Sequence, residues 1–173
     1  MLVDLVLPVS LAARVDGVVL RRATAADLAP LMALLADDPV SASRGDRADQ
    51  GDADLYRDAL ARVLADPAND LLVATDAGGA VVGTLQLTVI PGMARRGASR
   101  LQVEAVRVRS DLRSAGIGGA MMRWVAEDAA PALGAALVQL TSDAARVDAH
   151  RFYERLGYAP SHVGFKLRIP GDG

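Results

Sequence analysis

One stretch, VEAVRVRSDLRSAGIGGAMMRW from Val103 to Trp124, limits the possible folds more than any other. Residues 100–108, RLQVEAVRV, read as a strand, and Ile117, Met121, Trp124 and Val125 share one face at helical spacing. Between them lies a loop rich in glycine. Each glycine near a helix start costs backbone entropy, roughly 0.5–1 kcal/mol against alanine. Such a cost is tolerated where the backbone must turn sharply or something must come close. The first amides of a helix lack intrahelical acceptors, and the helix dipole places positive potential there. A strand, a glycine loop and a helix start together make an anion site, most naturally for phosphate or pyrophosphate. Arg113 adds a side chain able to contact the same anion.

The rest of the chain supplies a frame for this unit. VVLRRAT at 18–24 reads as a strand running into a helix capped by Thr24, with Asp27 in the capping-box position. Leu28, Leu31, Met32 and Leu35 make that helix's apolar face. Residues 37–54 are polar, acidic and turn-rich, and a helix carrying Leu55, Leu60, Val63 and Leu64 follows, stopping before Pro67. LLVATDAGGAVVGTLQLTVI reads as a hairpin turning at Gly78-Gly79. After the glycine loop, the helix is expected to end near Pro131. ALVQLTSD reads as a buried central strand. Ala145, Ala149, Phe152 and Leu156 give another helical stripe, stopped by Gly157. SHVGFKLRI alternates as a last strand, on which His162 and Lys166 share a face; His150 is expected to face solvent. The order is strand, two helices, three strands, helix, strand, helix, strand: a single α/β domain with a mixed sheet.

Composition narrows the function classes. At 173 residues with 51% hydrophobic content the chain can bury a core. A net charge of −2 and 3% aromatic residues offer neither a basic field nor stacking platforms, so nucleic acid is not expected as a partner. With no cysteine there is no disulfide, thiolate metal site or cysteine nucleophile, which suits a cytoplasmic protein. Two histidines are too few for a histidine-rich metal centre, and no metal is expected. The N-terminal MLVDLVLPVSLAAR lacks a basic leader, and Asp4 and Pro8 interrupt it. No stretch reaches the roughly 18 apolar residues of a membrane span. Residues 1–17 are therefore expected as an extension that packs as a short strand or frays, ahead of a domain at 18–173.

Three phosphate-binding motifs compete for the loop. A P-loop needs Lys-Ser/Thr after its last glycine, and Ala120-Met121 stand there. A dinucleotide fingerprint needs a third glycine where GIGGAM has methionine, and it belongs to an early βαβ unit. The third pattern, R-x-x-G-x-G, is met by Arg113-Ser114-Ala115-Gly116-Ile117-Gly118. It resembles the coenzyme A pyrophosphate loop of the GNAT superfamily of N-acetyltransferases. HRFYERLGY, about 35 residues on, is similar to that family's second signature. The order of elements across roughly residues 18–169 matches the family fold: a mixed, mostly antiparallel sheet flanked by helices and splayed at its central strands.

The resemblance implies roles. A bulge would part the strand before the loop from its neighbour, leaving Val106, Arg107 and Val108 to pair with the pantetheine arm of acetyl-CoA. Ser114, Ala115, Gly116, Ile117, Gly118 and Gly119 would hold the pyrophosphate through their backbone, with Gly116 and Gly118 kept clear of side chains for the phosphates. Tyr153 falls at the family's tyrosine, proposed to protonate the departing thiolate. Glu104, a carboxylate in an apolar strand, is a candidate base for the attacking amine. Arg146 departs from the asparagine that many members carry seven residues before the tyrosine.

The implied activity is N-acetylation of a primary amine by direct attack in a ternary complex. The acceptor is a small molecule or a protein amine, with a homodimer by family analogy. An acidic rim at 37–54, carrying Asp37, Asp38, Asp46, Asp49, Asp52 and Asp54, would favour a cationic acceptor. The alternative is a non-catalytic acyl-CoA-binding module serving as a sensor or partner subunit.

Overall fold

The computed structural model describes residues 1–38, 49–167 and 169. The chain divides into two compact units, Met1–Leu140 and Thr141–Gly173. The first unit holds a six-stranded sheet whose spatial order follows the sequence: β1 (Val9–Ser10), β2 (Val19–Arg22), β3 (Asn69–Thr75), β4 (Val81–Ile90), β5 (Arg100–Val108) and β6 (Leu137–Leu140). Neighbours are antiparallel except β5 and β6, which run parallel. Helix α1 (Leu28–Ala36) packs on β4 and β5, and α2 (Ala53–Ala65) on β3. Helix α3 begins at Ile117–Trp124 and packs on β5.

The local chemistry explains most boundaries. The Asp27 carboxylate accepts the Thr24 amide at 2.8 Å, closing the expected capping box, and a 3-10 turn at Ala25–Asp27 leads into α1. Arg21 grips the same carboxylate with two bonds of 2.8 Å. The α1 face is shifted by one residue from expectation: Leu31, Met32 and Leu34 are buried, while Leu35 is half-buried. In the hairpin only Gly79 takes a positive φ, +83°, while Asp76 Oδ1 accepts the amides of Gly78 and Ala80.

The Arg21 guanidinium beside Asp27 holds that carboxyl down at about 2, below its ordinary 3.8. A depressed acid stabilises the fold fully above its unfolded value and loses that contribution as pH falls through the folded one. Stability is therefore expected to drop by about 2 kcal/mol between pH 4 and pH 2 through Asp27. Asp27→Asn should remove this part of the acid slope in urea titrations at each pH.

One boundary is as expected and three expectations need correction. Helix α3 ends near Pro131 as expected, after widening into a π-helical stretch at Val125–Ala129 and running on through Ala130–Ala132. The changed register accommodates a residue with no amide hydrogen, and Gly134 at φ +63° then ends the run. The strand ALVQLTSD shortens to β6, which stands at the end of the sheet and is half-buried rather than central. Residues 50–54, assigned to a loop, already turn as a 3-10 segment and enter α2 at Ala53. Residues 159–167 form no strand, so His162 and Lys166 share no strand face. Val163, Phe165 and Leu167 are exposed there. Alternation says which side chains share a face; it does not supply a neighbouring strand.

In the second unit α4 (Val147–Arg155) ends in a Schellman motif. The Tyr158 amide donates to the Tyr153 carbonyl at 3.1 Å and Gly157, at φ +87°, donates to Glu154 at 2.9 Å. His150 is half-buried rather than solvent-facing, its Nε2 2.9 Å from the Asp143 carbonyl oxygen. Among the described residues no helix is long and apolar enough to cross a membrane.

Candidate active site

The site is built on the second half of β5. Between β4 and β5 the register shifts: Gln86 opposes Glu104 but Thr84 opposes Arg107, so Ala105 and Val106 together face Leu85. This is a β-bulge, and Ala105 turns through φ +50° to make it. An alanine in that region stores about 1 kcal/mol of strain. The parallel pairing with β6 ends just before the bulge, at Val103 opposite Leu140. Beyond it β5 continues beside β4 alone among the described strands.

The bulge also sorts the backbone groups. The Arg109 amide donates to the Val82 carbonyl at 2.9 Å. By strand alternation Arg107 turns its main-chain polar groups toward β4, whereas Val106 and Val108 turn theirs away from it, to the side β6 has left. Of the three expected pairing positions, only these two thus have the orientation to pair with an extended ligand. Arg107 acts through its side chain: Nη1 donates to the Val106 carbonyl at 2.8 Å, and Nη2 lies 3.9 Å from the Asp38 carboxylate. Glu104 stands immediately before the bulge, and its side chain is exposed.

After β5 a 3-10 turn, Ser110–Leu112, leads to the glycine loop. Ser114 takes φ +67° and Gly116, the residue preceding α3, φ +84°. The Gly116 carbonyl accepts the Ala120 amide, which opens the helix and leaves the Ile117, Gly118 and Gly119 amides at its N-terminal end. Ile117, Ala120, Met121, Met122 and Trp124 are buried. Burial of side chains of this size, roughly 1.5–3 kcal/mol each for the larger ones, outweighs the entropic cost of the glycines. Gly83 on β4 lets α3 approach closely: a Cβ there would lie 3.4 Å from Met121 Cε and 3.1 Å from the Arg107 carbonyl oxygen.

Gly116 also meets a requirement that the sequence did not show. A Cβ at Gly116 would meet this chain's own Arg14, at 3.2 Å from its amide nitrogen and 3.3 Å from Cγ. Its left-handed φ and the N-terminal segment behind the loop each favour glycine here.

The arginines around the loop are already engaged. Arg113 donates to the Asp37 carbonyl at 3.0 Å, with the Asp37 carboxylate 4.0 Å away. That carboxylate accepts the Ser110 amide at 2.6 Å. Arg109 holds Asp111 through two bonds of 2.7 and 3.0 Å, raising the arginine and lowering the acid from their ordinary values. The same pairings consume much of the expected acidic rim. Asp37 and Asp38 pair with Arg113 and Arg107, Asp54 pairs with Arg57, and Asp49 accepts the Gly51 amide. Asp46 lies outside the described residues. No spacing in the sequence pointed to these ties between the end of α1 and the loop.

Tyr153 lies on α4 in the second unit, two residues before the helix end at Arg155. Its ring packs edge-on to Phe152 at 5.0 Å and to Tyr158 at 5.8 Å. Arg146 is the residue preceding α4 and is half-buried.

Known proteins share this architecture. A transcriptional regulator from Bacillus halodurans C-125 superposes with a TM-score of 0.82 at 38% identity, over 88% of this chain and 99% of its own. Glucosamine-6-phosphate N-acetyltransferase from Arabidopsis thaliana superposes with a TM-score of 0.68 over 90% of this chain and 100% of its own; at 14% identity the likeness is one of fold. Aminoalkylphosphonate N-acetyltransferase from Salmonella typhimurium is 39% identical over 64 residues, 37% of this chain. The match spans 41% of that relative's length. The family description "Acetyltransferase (GNAT) family" matches residues 31–158, which take in the bulged strand, the glycine loop and Tyr153, and the chain belongs to that family.

Proposed function

We propose that the protein transfers the acetyl group of acetyl-CoA to a primary amine by direct attack within a ternary complex. The observation that carries this is the juxtaposition on one strand. β5 loses its parallel neighbour at the Ala105 bulge and, a few residues later, delivers the N-terminus of α3. The first feature suits an extended amide-bearing arm, the second a pyrophosphate. The residues present fit acetyl-CoA: Arg113 through Gly119 include no acidic side chain, and the helix start is lined by glycine.

In this reading Val106 and Val108 pair with the pantetheine amides, and the amides of Ile117, Gly118 and Gly119 hold the pyrophosphate. Acetyl-CoA supplies an activated acyl carbon and a thiolate leaving group. Glu104 receives the proton that the attacking ammonium must lose, directly or through water. The new C–N bond forms first; as the C–S bond then breaks, Tyr153 gives its phenol proton to the sulfur and is reprotonated by the second proton that the nitrogen sheds. The products are the N-acetyl amide and free coenzyme A. The absence of cysteine suits a cytoplasmic setting, and a homodimer is the expected assembly.

The test is free-thiol release on incubation with acetyl-CoA and a panel of amines. The panel includes aminoalkylphosphonates, the acceptor class named for the partial relative, with an amino-sugar phosphate, a polyamine, a lysine peptide and a free peptide N-terminus. Thiol release with at least one acceptor is expected. Tight acetyl-CoA binding without turnover on any amine would favour a non-catalytic acyl-CoA sensor, a reading encouraged by the transcriptional-regulator description of one relative.

A further inference from the structure

We infer that the N-terminal segment Leu11–Arg14 is a strut that sets the shape of the glycine loop, with Arg14 a positioning residue for acetyl-CoA binding. The inference rests on the reading of that loop as the pyrophosphate site.

A loop that offers its N–H groups to an anion must turn its carbonyls the other way, and those carbonyls need donors of their own. Arg14 supplies both. Its amide donates to the Ala115 carbonyl at 2.8 Å, and its guanidinium Nη1 donates to the Ser114 carbonyl at 3.3 Å. These two carbonyls lie between the two left-handed residues of the loop, Ser114 and Gly116. A serine at φ +67° persists only where its surroundings over-determine it. Gly116 seats its backbone directly against Arg14, since a Cβ on Gly116 would stand only 3.2 Å from the Arg14 amide nitrogen.

The strut is itself fixed. Leu11 is buried, and its amide donates to the Val18 carbonyl at 2.8 Å. Val9 and Ser10 pair with β2 just before it. Farther back Leu2 and Leu5 are buried, and Arg22 Nη2 donates to the Leu2 carbonyl at 2.6 Å. From the loop side, Arg123 on α3 donates to the Ala12 carbonyl at 3.3 Å. The segment thus touches both the loop and the helix whose N-terminus would meet the anion. Of the two expectations for residues 1–17, packing as a short strand is seen at Val9–Ser10.

The test uses the full chain. Arg14→Pro removes the amide donor and the guanidinium; Arg14→Ala keeps the amide. Loss of a hydrogen bond of this kind should raise the KM for acetyl-CoA roughly tenfold in Arg14→Pro and about two- to threefold in Arg14→Ala. Turnover at saturation and the KM for the amine should stay within about twofold of wild type. A merely structural contact would lower the melting temperature and leave the KM for acetyl-CoA unchanged. That result in folded variants overturns the proposal. If Arg14→Pro fails to fold, wild-type hydrogen exchange decides. Acetyl-CoA binding should slow exchange at the Arg14 amide by linkage, and an unchanged rate overturns the proposal. A wild-type protein that binds no acetyl-CoA brings down the pyrophosphate reading and the strut with it. Normal binding with indifferent Arg14 variants removes the strut alone.

Discussion

Tyr153→Phe is expected to lower turnover on the order of a hundredfold while the KM for acetyl-CoA stays within about twofold. The substitution removes one hydroxyl and keeps the ring. The edge-on contacts with Phe152 and Tyr158 survive, as does the Schellman motif, because its bond uses the main-chain carbonyl of Tyr153. A loss of rate in the folded variant therefore reports on the phenol hydroxyl. Tyr158 is the matched control. Burial pushes its hydroxyl up to about 12, and among the described residues Tyr158 Oη is buried without a hydrogen-bond partner. Removing an unsatisfied buried hydroxyl costs nothing in lost bonds, so Tyr158→Phe should keep both rate and stability. Glu104→Gln should also slow turnover in the same assay, without weakening acetyl-CoA. Full activity of Tyr153→Phe would remove its role as the acid.

The strand, loop and helix around the site were legible because each leaves a local mark. β5 covers residues 100–108 as its pattern required, and the buried residues of α3 include Ile117, Met121, Trp124 and Val125 at the expected spacing. Thr24 and Asp27 announce a helix start through a bond between neighbours. The tertiary ties leave no such mark. Asp37 meets Ser110 and Arg113 across more than seventy residues, and Arg14 meets Ser114 across a hundred. Nothing in either local stretch encodes its partner. The bulge was implied only by family resemblance, for Ala105 carries no glycine to advertise its positive φ. The alternating pattern at 161–167 failed for the opposite reason. Its local pattern was strong, but a strand exists only where another strand receives it.

Two glycines of the loop, two residues apart, should respond differently to valine, and the difference separates fold from function. Gly118 lies inside the first turn of α3, where a helical residue carries a side chain without backbone strain. Gly118→Val should weaken acetyl-CoA binding by at least roughly thirtyfold, about 2 kcal/mol, by crowding the amides proposed to hold the pyrophosphate. Its melting temperature should fall only modestly, since valine is a slightly better helix residue than glycine. Gly116→Val faces two further penalties. Its φ of +84° is strained for a β-branched residue, and the new Cβ presses on the amide and side chain of Arg14. Thermal unfolding of Gly116→Val should shift down clearly, by about 2–4 kcal/mol in stability, along with lost acetyl-CoA affinity. Calorimetric titration and melting of the two variants check both halves. Unchanged affinity in Gly118→Val would remove the pyrophosphate from the α3 N-terminus. Equal stability losses in both variants would mean that the loop's glycines serve backbone geometry alone.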